Sequence, residues 1–119
     1  DLDVTFLGTV DNVYDYLNAM DGMLLPSLFE GLPLVAIEWQ INGLPVLASD
    51  TITKECAISD SIRVYSLKSG ETAWAREILQ MIEIDNRYRN SIQAQEKARL
   101  RGFDIRNSAE MLRRMYLDI

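Results

Sequence analysis

The stretch that decides the fold reads Ser27-Leu28-Phe29-Glu30-Gly31-Leu32-Pro33-Leu34-Val35-Ala36-Ile37-Glu38, and it places two carboxylates with seven residues between them. Glu30 falls in a turn that contains Gly and Pro, whereas Glu38 falls inside the helix that we expect to follow. Pro33 suits the first turn of that helix, where an N–H group would be unpaired in any case. Two acids in an otherwise apolar stretch are unusual without a partner, so we expect them to face a ligand.

Short apolar runs before and after this stretch predict β-strands. The runs lie at residues 3–8, 22–26, 45–49 and 62–67. They alternate with segments of helical spacing, which is typical of a parallel sheet with right-handed crossovers. The second and third runs are continuously apolar, as strands buried on both faces are. We therefore predict the α/β class, with a partial Rossmann-like, three-layer parallel sheet of about four strands and flanking helices.

Capping residues and a polar gap predict the connections between these runs. Asp11 is expected to cap the first helix, and the helix after Pro33 is expected to run through Ile41 and end near Gly43. The polar gap at residues 51–61 is predicted to be a loop with a short helix.

The chain from Ser69 onward is predicted to be helical, and residues 84–119 are expected to form the C-terminal helices. Three stripes at helical spacing support this prediction. They comprise Trp74, Ile78, Met81 and Ile82; Tyr88, Ile92, Gln95 and Arg99; and Ile105, Ala109, Leu112, Tyr116 and Ile119. Gly102 is expected to end the second of these helices and Asp104 to cap the third.

Composition limits the number of domains and the available chemistry. With 119 residues, 48% of them hydrophobic, the chain is interpreted as one domain, residues 1–119, with a core of its own. The sequence lacks a run of about 18 apolar residues, so no transmembrane helix is predicted. It has no His, which excludes a His general base and argues against a zinc site. The lone Cys56 favours a reduced, cytoplasmic setting and is interpreted as a small buried hydrophobe.

The net charge of −6 is distributed unevenly. Residues 1–75 contain three Lys or Arg and eleven Asp or Glu, whereas residues 76–119 contain nine and seven. Such an acidic body is a poor surface for nucleic acid, and no nucleic-acid partner is expected. The more basic tail is interpreted as solvated helix faces, with weak attraction to anionic lipid headgroups as the alternative.

Loops at the carboxyl ends of the predicted strands are expected to line one crevice, because open α/β sheets bind ligands there. Gly31 allows the backbone to come close to a ligand, and the N–H groups of Gly31, Leu32 and the first helical turn favour a phosphate. Glu38 can accept two hydrogen bonds from a ribose diol. If the phosphate is part of a diphosphate that carries a sugar, Glu30 would reach the sugar hydroxyls beyond it. Its charge could also stabilise an oxocarbenium-like transition state.

These motifs together resemble the retaining glycosyltransferases of family 4, which have the GT-B fold. The resemblance covers roughly residues 4–83 and rests on Phe6-Leu7-Gly8, Leu25-Pro26-Ser27, Glu30-Gly31-Leu32-Pro33, Glu38 and Gly43-Leu44-Pro45-Val46-Leu47-Ala48-Ser49-Asp50. Thr51-Ile52-Thr53-Lys54-Glu55 and Trp74-Ala75 look like a bacterial exopolysaccharide or capsule-synthesis branch. One departure is the pair Trp39-Gln40, which replaces small residues after the second Glu and is expected to change the packing under the ribose.

The resemblance implies that the chain is the donor-binding half of a two-domain enzyme. Glu30 would be the catalytic residue and contact the donor sugar, while the backbone of Gly31 and Leu32 would bind sugar or phosphate. Glu38 would hold the ribose. The donor site implied in this way comprises Val10, which lies near the base, together with Ser27, Glu30, Gly31, Leu32, Pro33 and Glu38.

The implied reaction is transfer of a sugar, with retention, from a nucleotide-sugar, most simply a UDP-sugar, to a growing polysaccharide or lipid-linked acceptor. It needs no metal and no other cofactor. In the family, the acceptor domain and the Arg and Lys that grip the diphosphate lie upstream of this segment, so the isolated segment is expected to be inactive. The implied location is cytoplasmic, with possible peripheral contact at the inner face of the membrane.

Three alternatives remain open from the residues. The first is a non-catalytic nucleotide-binding domain of similar fold with a regulatory or scaffolding role. The second is another GT-B chemistry, such as sugar-nucleotide epimerisation or phosphorolysis, for which Lys54 and Lys68 are poorly placed. The third is a protein-interaction domain that uses Trp39 or Trp74 as an anchor, although both are interpreted primarily as core residues.

Overall fold

The computed structural model describes residues 2–103 and 105–117, except for the side chains of residues 105, 107, 108 and 111. Helices and strands alternate along the first part of the chain, and three helices end it. The elements are α1 (Val13–Ala19), β1 (Met23–Leu25), α2 (Leu34–Ile41), β2 (Val46–Ser49), β3 (Ile62–Tyr65), α3 (Glu71–Glu83), α4 (Arg87–Leu100) and α5 (Ile105–Leu117). Single 3₁₀ turns lie at Lys54–Cys56 and Leu67–Ser69.

The sheet has three parallel strands in the order β1-β2-β3. Leu25 pairs with Ala48, and Ala48 pairs with Val64. The central strand β2 is buried along its whole length, which explains its continuously apolar sequence. The predicted α/β class and parallel sheet are therefore confirmed, as is the short helical turn between β2 and β3.

The prediction of a strand at residues 3–8 is wrong, and the described residues form three strands where about four were expected. This segment has no strand assignment, and Phe6 is 94% exposed. A β-rich sequence forms a strand only when a neighbour completes its hydrogen bonds. If β1, β2 and β3 correspond to strands 4, 5 and 6 of a doubly wound sheet with the strand order 3-2-1-4-5-6, the strand before them in sequence is strand 3. Strand 3 lies at the opposite edge of that sheet, away from strands 4, 5 and 6. Residues 3–8 find no such neighbour among the described residues.

The two faces of β2 pack against different helices, which gives the predicted three layers. On one face, Val46 packs with α1 and α2 and Ala48 packs with α2 and α4. On the other face, Leu47 packs against α3, where Trp74, Ile78 and Met81 are buried. The predicted α3 stripe is therefore confirmed for these three residues, and Trp39 and Trp74 are both core residues.

Helix α4 packs on α2 through its smallest side chains. The buried residues of α4 are Asn90, Ala94 and Ala98, whereas Tyr88 and Ile92 are exposed. The predicted helix is therefore confirmed, but Tyr88 and Ile92 of the stripe that indicated it do not form its buried face. Small side chains let two helix backbones approach closely, and the larger apolar residues of α4 then lie outside the contact. Gly102 has a φ of +80° just beyond the end of α4, which confirms the predicted C-terminal cap.

Arg87 ties the start of α4 to the ends of two other helices. Its guanidinium donates to the carbonyl oxygens of Leu17 and Met20, at 2.5 and 2.7 Å, and to that of Asn42 at 3.3 Å. It also donates to the side-chain oxygen of Asn42. Gly43, with a φ of +87°, passes so close that an added Cβ would overlap the Arg87 carbonyl oxygen. The C-terminal ends of α1 and α2 are thus held by one cation.

The helix ends differ in detail from the predictions. Asn12, not Asp11, is the N-cap of α1, and its side chain donates to Asp15 instead of capping the helix. Asp104, the predicted cap of α5, lies outside the described residues, as do the side chains of Ile105 and Ile119. Ala109, Leu112 and Tyr116 of the predicted α5 face are exposed. None of the helices in residues 2–103 and 105–117 is long and apolar enough to cross a membrane.

Candidate functional site

The site lies where β1 and β2 end. Since the strands are parallel and Leu25 is in register with Ala48, the loops that follow β1 and β2 leave the same edge of the sheet. We call residues 26–33 the Glu30 loop and residues 50–61 the Gln40 loop. The Glu30 loop leads directly into α2, so its backbone and the start of that helix form one continuous surface.

Helix α2 begins at Leu34, and Pro33 is its N-cap. Pro33 therefore lies one position before the first helical turn, in which it was predicted to lie. Pro33 is buried, and no side chain caps the helix. The N–H groups of the residues around this start, Gly31, Leu32, Leu34 and Val35, donate to no other described residue. All four residues are exposed. Unpaired N–H groups at the positive end of a helix are suited to an anion such as a phosphate.

Glu30 is half-buried in the Glu30 loop and held by a neighbour. The hydroxyl of Ser27 donates to Oε1 of Glu30 at 3.0 Å. The carbonyl oxygen of Ser27 in turn accepts hydrogen bonds from the hydroxyls of Ser49 and Thr51, the latter at 2.7 Å. These two hydroxyls lie 3.0 Å from each other. The structure therefore brings together two of the predicted site residues, Ser27 and Glu30.

Glu38 lies on the exposed surface of α2, one turn after Leu34. Its carboxylate makes no hydrogen bond or ion pair with any other described residue. This leaves both oxygens available to a ligand. No hydrogen bond joins Glu38 to Glu30, and along the sequence the two acids lie before and after the residues with unpaired N–H groups at the start of α2.

Of the other predicted site residues, Gly31 and Leu32 are exposed in the Glu30 loop, Pro33 is buried at its end, and Val10 lies before α1. A Cβ added to Gly31 would meet nothing within 4 Å, so this glycine leaves open space beside Glu30. Val10 is half-buried in the segment before α1, next to Gly8 and Asp11 in sequence. Within the described residues, Val10 makes no hydrogen bond to the Glu30 loop or to α2.

Ser49 and Thr51 are the residues of this site whose role the sequence did not reveal. The loop after β2 was expected to line the crevice, but its hydroxyls were not singled out. Their only sequence signal is the position of Ser and Thr at and just after the end of a buried strand. Leu28 and Phe29 were also missed as surface residues, although they are 82% and 85% exposed beside Glu30.

Gln40 lies beneath the site and organises the Gln40 loop. Its amide, which is fully buried, donates to the carbonyl oxygens of Ala36 and Cys56 at 2.9 and 2.7 Å. Its side-chain oxygen accepts from the N–H groups of Ile58 and Ser59, at 3.0 and 3.1 Å, and from the Ser59 hydroxyl. Gln40 is therefore the centre of a buried hydrogen-bond network that joins α2 to the Gln40 loop.

Cys56 is buried, as the sequence predicts. Its thiol lies inside the Gln40 loop, and burial raises its pKa despite a hydrogen bond to the backbone. Among the described residues, no group of three His, Cys, Asp or Glu side chains is arranged to hold a metal ion.

An apolar hollow of about 360 Å³ lies between β1 and α3, beside the same edge of the sheet. Its lining includes Leu24, Pro26, Leu67 and Trp74, and none of the predicted donor-site residues. Trp74 is buried and donates its indole N–H to the Ser66 carbonyl oxygen at 2.9 Å. Trp39 is equally buried. Neither indole is therefore available as the exposed anchor of an interaction domain.

Comparison with known proteins identifies the family. Residues 1–83 match the family model described as "Glycosyl transferases group 1". The chain belongs to this family. The resemblance to glycosyltransferases that the motifs around Glu30 and Glu38 indicate is thereby confirmed, and the three-stranded parallel sheet is consistent with part of a GT-B enzyme.

Three relatives support the assignment. The chain is 39% identical over 77 residues to a Bacillus subtilis (strain 168) protein named as glycosyltransferase EpsF, covering 64% of this chain and 20% of that protein. It is 25% identical over 114 residues to an Escherichia coli enzyme named UDP-Gal:α-D-GlcNAc-diphosphoundecaprenol α-1,3-galactosyltransferase, covering 95% and 29%. It is 38% identical over 61 residues to an uncharacterized 41.2 kDa protein in the cps region of Klebsiella pneumoniae, covering 50% and 17%.

The chain thus spans less than a third of the length of these relatives. No solved structure matches it significantly.

Proposed function

We propose that this chain is the donor-binding part of a glycosyltransferase that moves a sugar from a nucleotide-sugar to a glycan acceptor with retention. The observation that carries the proposal is the arrangement around the start of α2. Glu30, whose carboxylate accepts from Ser27, precedes the residues with unpaired N–H groups in the chain, and Glu38, whose carboxylate has no partner among the described residues, follows them in α2. This order fits the three parts of a nucleotide-sugar: sugar, diphosphate and ribose.

Each part of the donor has a matching group in the chain. The N–H groups of Gly31, Leu32 and the first turn of α2 bind the diphosphate, because they are unsatisfied and lie at the positive end of the helix. Glu38 accepts hydrogen bonds from the two ribose hydroxyls. Glu30 contacts the sugar, and its negative charge stabilises the positive charge that develops there as the diphosphate leaves.

The finer assignments are supported by the relatives. The Escherichia coli relative is named for a UDP-Gal donor and a diphosphoundecaprenol-linked acceptor, which supports a UDP-sugar donor and a lipid-linked or polysaccharide acceptor here. The Klebsiella pneumoniae relative in a cps region supports a role in capsule or exopolysaccharide synthesis. The donor site as proposed uses side chains and backbone N–H groups and requires no metal ion.

Residues 1–119 form one donor domain within a longer, two-domain enzyme, with residues 84–119 as its C-terminal helices. This proposal agrees with the small share of each relative that the chain covers. The partner domain binds the acceptor, and cationic residues upstream of this segment assist departure of the diphosphate. The enzyme acts in the cytoplasm, where its lipid-linked acceptor would bring it to the inner face of the membrane.

An NMR titration of the chain with UDP, GDP and ADP, followed by UDP-glucose and UDP-galactose, tests this proposal. We expect the amide resonances of Gly31–Val35 and of Glu38 to shift, and UDP to bind more tightly than GDP or ADP. Glu38→Gln removes the charge that accepts from the ribose and should weaken UDP binding. Glu96→Gln, at an exposed position on α4, is the matched control and should leave binding unchanged.

The absence of these shifts at 10 mM nucleotide, both in the chain and in the full-length protein, would refute the proposal. A non-catalytic nucleotide-binding domain would give the same titration but no sugar transfer by the full-length protein. Assaying the full-length protein with UDP-sugars and a lipid-linked acceptor separates the two functions.

A further inference from the structure

We propose that Ser49 and Thr51 are positioning residues that fix Glu30 for sugar recognition by holding the Ser27 carbonyl group. The inference rests on the proposed function in one respect, the assignment of Glu30 to the sugar. The chain of contacts has three steps. The hydroxyls of Ser49 and Thr51 donate to the carbonyl oxygen of Ser27, and these two hydroxyls count as the first two steps. In the third step, the hydroxyl of Ser27 donates to the carboxylate of Glu30 at 3.0 Å.

The Glu30 loop has little else to define its conformation. Among the described residues, Leu28–Leu32 make no hydrogen bond other than the one from Ser27 to Glu30. The side chains of Leu28 and Phe29 point into solvent and add little packing. A loop with so few bonds adopts many conformations unless its ends are fixed. The Ser27 carbonyl is therefore the point at which the sheet sets the position of Glu30.

One donor of these bonds lies on the buried central strand, and the other lies two residues beyond its end. Ser49 is fully buried and pairs with Tyr65 at the end of the central strand. Thr51 is exposed, yet its hydroxyl lies 2.7 Å from the Ser27 oxygen. A carbonyl oxygen has two lone pairs, so both hydroxyls can donate to it at once. The result is a two-point attachment of a flexible loop to the edge of the sheet.

The two carboxylates of the site are consequently preorganised to different degrees. Glu30 is linked to β2 through Ser27, whereas Glu38 is placed by its own helix and needs no such link. Loss of the hydroxyls should therefore affect the sugar end of the ligand and spare the nucleotide end. A general loss of stability would weaken binding of both ends equally, which makes the two roles distinguishable.

Thr51→Val is the decisive variant because it removes the hydroxyl from an exposed residue and keeps the shape of the side chain. We expect its affinity for UDP-glucose or UDP-galactose, whichever the wild type binds better, to fall about three- to tenfold, the range expected for one hydrogen bond. Affinity for UDP alone should change by less than about twofold. Thr51→Ser retains the hydroxyl and should restore sugar-nucleotide binding.

Thr53→Val is the matched control, since the Thr53 hydroxyl accepts from the N–H of Glu55 and not from the Glu30 loop. Thr53→Val should not change the affinity for the UDP-sugar relative to the affinity for UDP. Ser49→Ala combined with Thr51→Val should give a larger loss than Thr51→Val alone. The proposal is overturned if Thr51→Val binds the UDP-sugar as tightly as the wild type, or if it weakens UDP and the UDP-sugar by the same factor.

A measurement without ligand separates this inference from the proposed function. The carboxyl ¹³C resonance of Glu30 and the amide resonances of residues 27–31 should shift in Thr51→Val and return in Thr51→Ser. If the wild type binds neither UDP nor a UDP-sugar, the proposed function fails and these resonances alone decide the positioning role. Unchanged Glu30 and Ser27 resonances in Thr51→Val would overturn it.

Discussion

The Glu30 loop and the Gln40 loop leave neighbouring strands at the same edge of the sheet, yet they are held in opposite ways. Among the described residues, the Glu30 loop is hydrogen-bonded to the sheet edge only at the Ser27 carbonyl oxygen, and it exposes Leu28 and Phe29. The Gln40 loop buries Ile52, Cys56 and Ile58 in the core and makes four hydrogen bonds with the buried amide of Gln40. Three of them involve the loop backbone, at Cys56, Ile58 and Ser59.

The contrast separates a binding surface from its support. Regions with few buried contacts open at low free-energy cost and are where ligands are accommodated, whereas regions with buried, satisfied polar groups resist opening. In this molecule the support lies under α2, the helix that presents Glu38. Disturbing the Gln40 loop should therefore cost stability, and disturbing the Glu30 loop should cost binding.

Substitution of Gln40 should have the largest effect. Gln40→Leu leaves the buried N–H groups of Ile58 and Ser59 without an acceptor. Since each buried unsatisfied group costs about 1–3 kcal/mol, we expect the free energy of unfolding to fall by about 3 kcal/mol or more. Urea denaturation measures this change. Gln95→Leu, on the exposed face of α4, is the control, and an equal loss in both variants would contradict the role of Gln40.

Enlarging a small residue between α2 and α4 should have the next largest effect. Ala94 is fully buried against the cluster that contains Ile37. Ala94→Leu forces the helices apart, and overpacking of this kind costs about 1–3 kcal/mol. Thermal unfolding followed by circular dichroism measures the loss. Ala109→Leu, at an exposed position of α5, should leave the midpoint unchanged, and a stable Ala94→Leu variant would show that α4 does not pack closely.

The reactivity of Cys56 reports directly on the Gln40 loop. Burial raises the pKa of its thiol, so less thiolate is present near neutral pH in the folded state than in the unfolded state. We expect a disulfide reagent such as DTNB to react at least about tenfold more slowly with folded than with urea-unfolded protein, which corresponds to about 1.4 kcal/mol. Equal rates would show that the loop is open.

The sign of the linkage between pH and stability follows from the same shift. The folded state retains the thiol proton at a pH where the unfolded state begins to lose it. The free energy of unfolding contributed by Cys56 therefore falls as the pH rises from the ordinary thiol pKa through the raised one. Cys56→Ala should remove this dependence, and the pH profile of urea denaturation for the two proteins compares them.

Changes at the tip of the Glu30 loop should have the smallest effect on stability. Phe29 is 85% exposed, so Phe29→Ser should alter the free energy of unfolding by less than about 0.5 kcal/mol. Denaturation of Phe29→Ser beside Gln40→Leu gives the sharpest form of the comparison between the two loops. A loss of more than 1 kcal/mol in Phe29→Ser would show packing of the aromatic ring that its exposure does not indicate.

Local patterns in the sequence predicted the parts of the fold that local physics controls. The continuous apolar run of β2 and the Gly-Pro turn before α2 identify their elements because burial and backbone geometry act on consecutive residues. The segment at residues 3–8 has the same β-rich character, but a strand also requires a neighbour, which its own sequence does not specify. Likewise, periodicity selected Tyr88 and Ile92 in α4, whereas close approach to α2 selected Ala94 and Ala98.

The candidate site likewise contains residues that local sequence patterns predict and residues that they do not. Glu30 and Glu38 were predicted from residue type and spacing around one turn, and the structure places Glu30 in the loop before α2 and Glu38 within that helix. The bonds from Ser49 and Thr51 to Ser27 cross 22 and 24 residues of sequence, so no local pattern reveals them. Gln40 was recognised as a departure, but its buried hydrogen bonds depend on the return path of the Gln40 loop.

The hydrogen bonds of Arg87 couple the unfolding of α1, α2 and α4. Helix α1 has only seven residues and α2 eight, so neither would persist if detached, and the guanidinium holds the last carbonyl groups of both. Release of the first turn of α4 would free α1 and α2 in the same event. In hydrogen–deuterium exchange, the amides of all three helices should consequently report one common opening energy, as a single cooperative unit that surrounds the site.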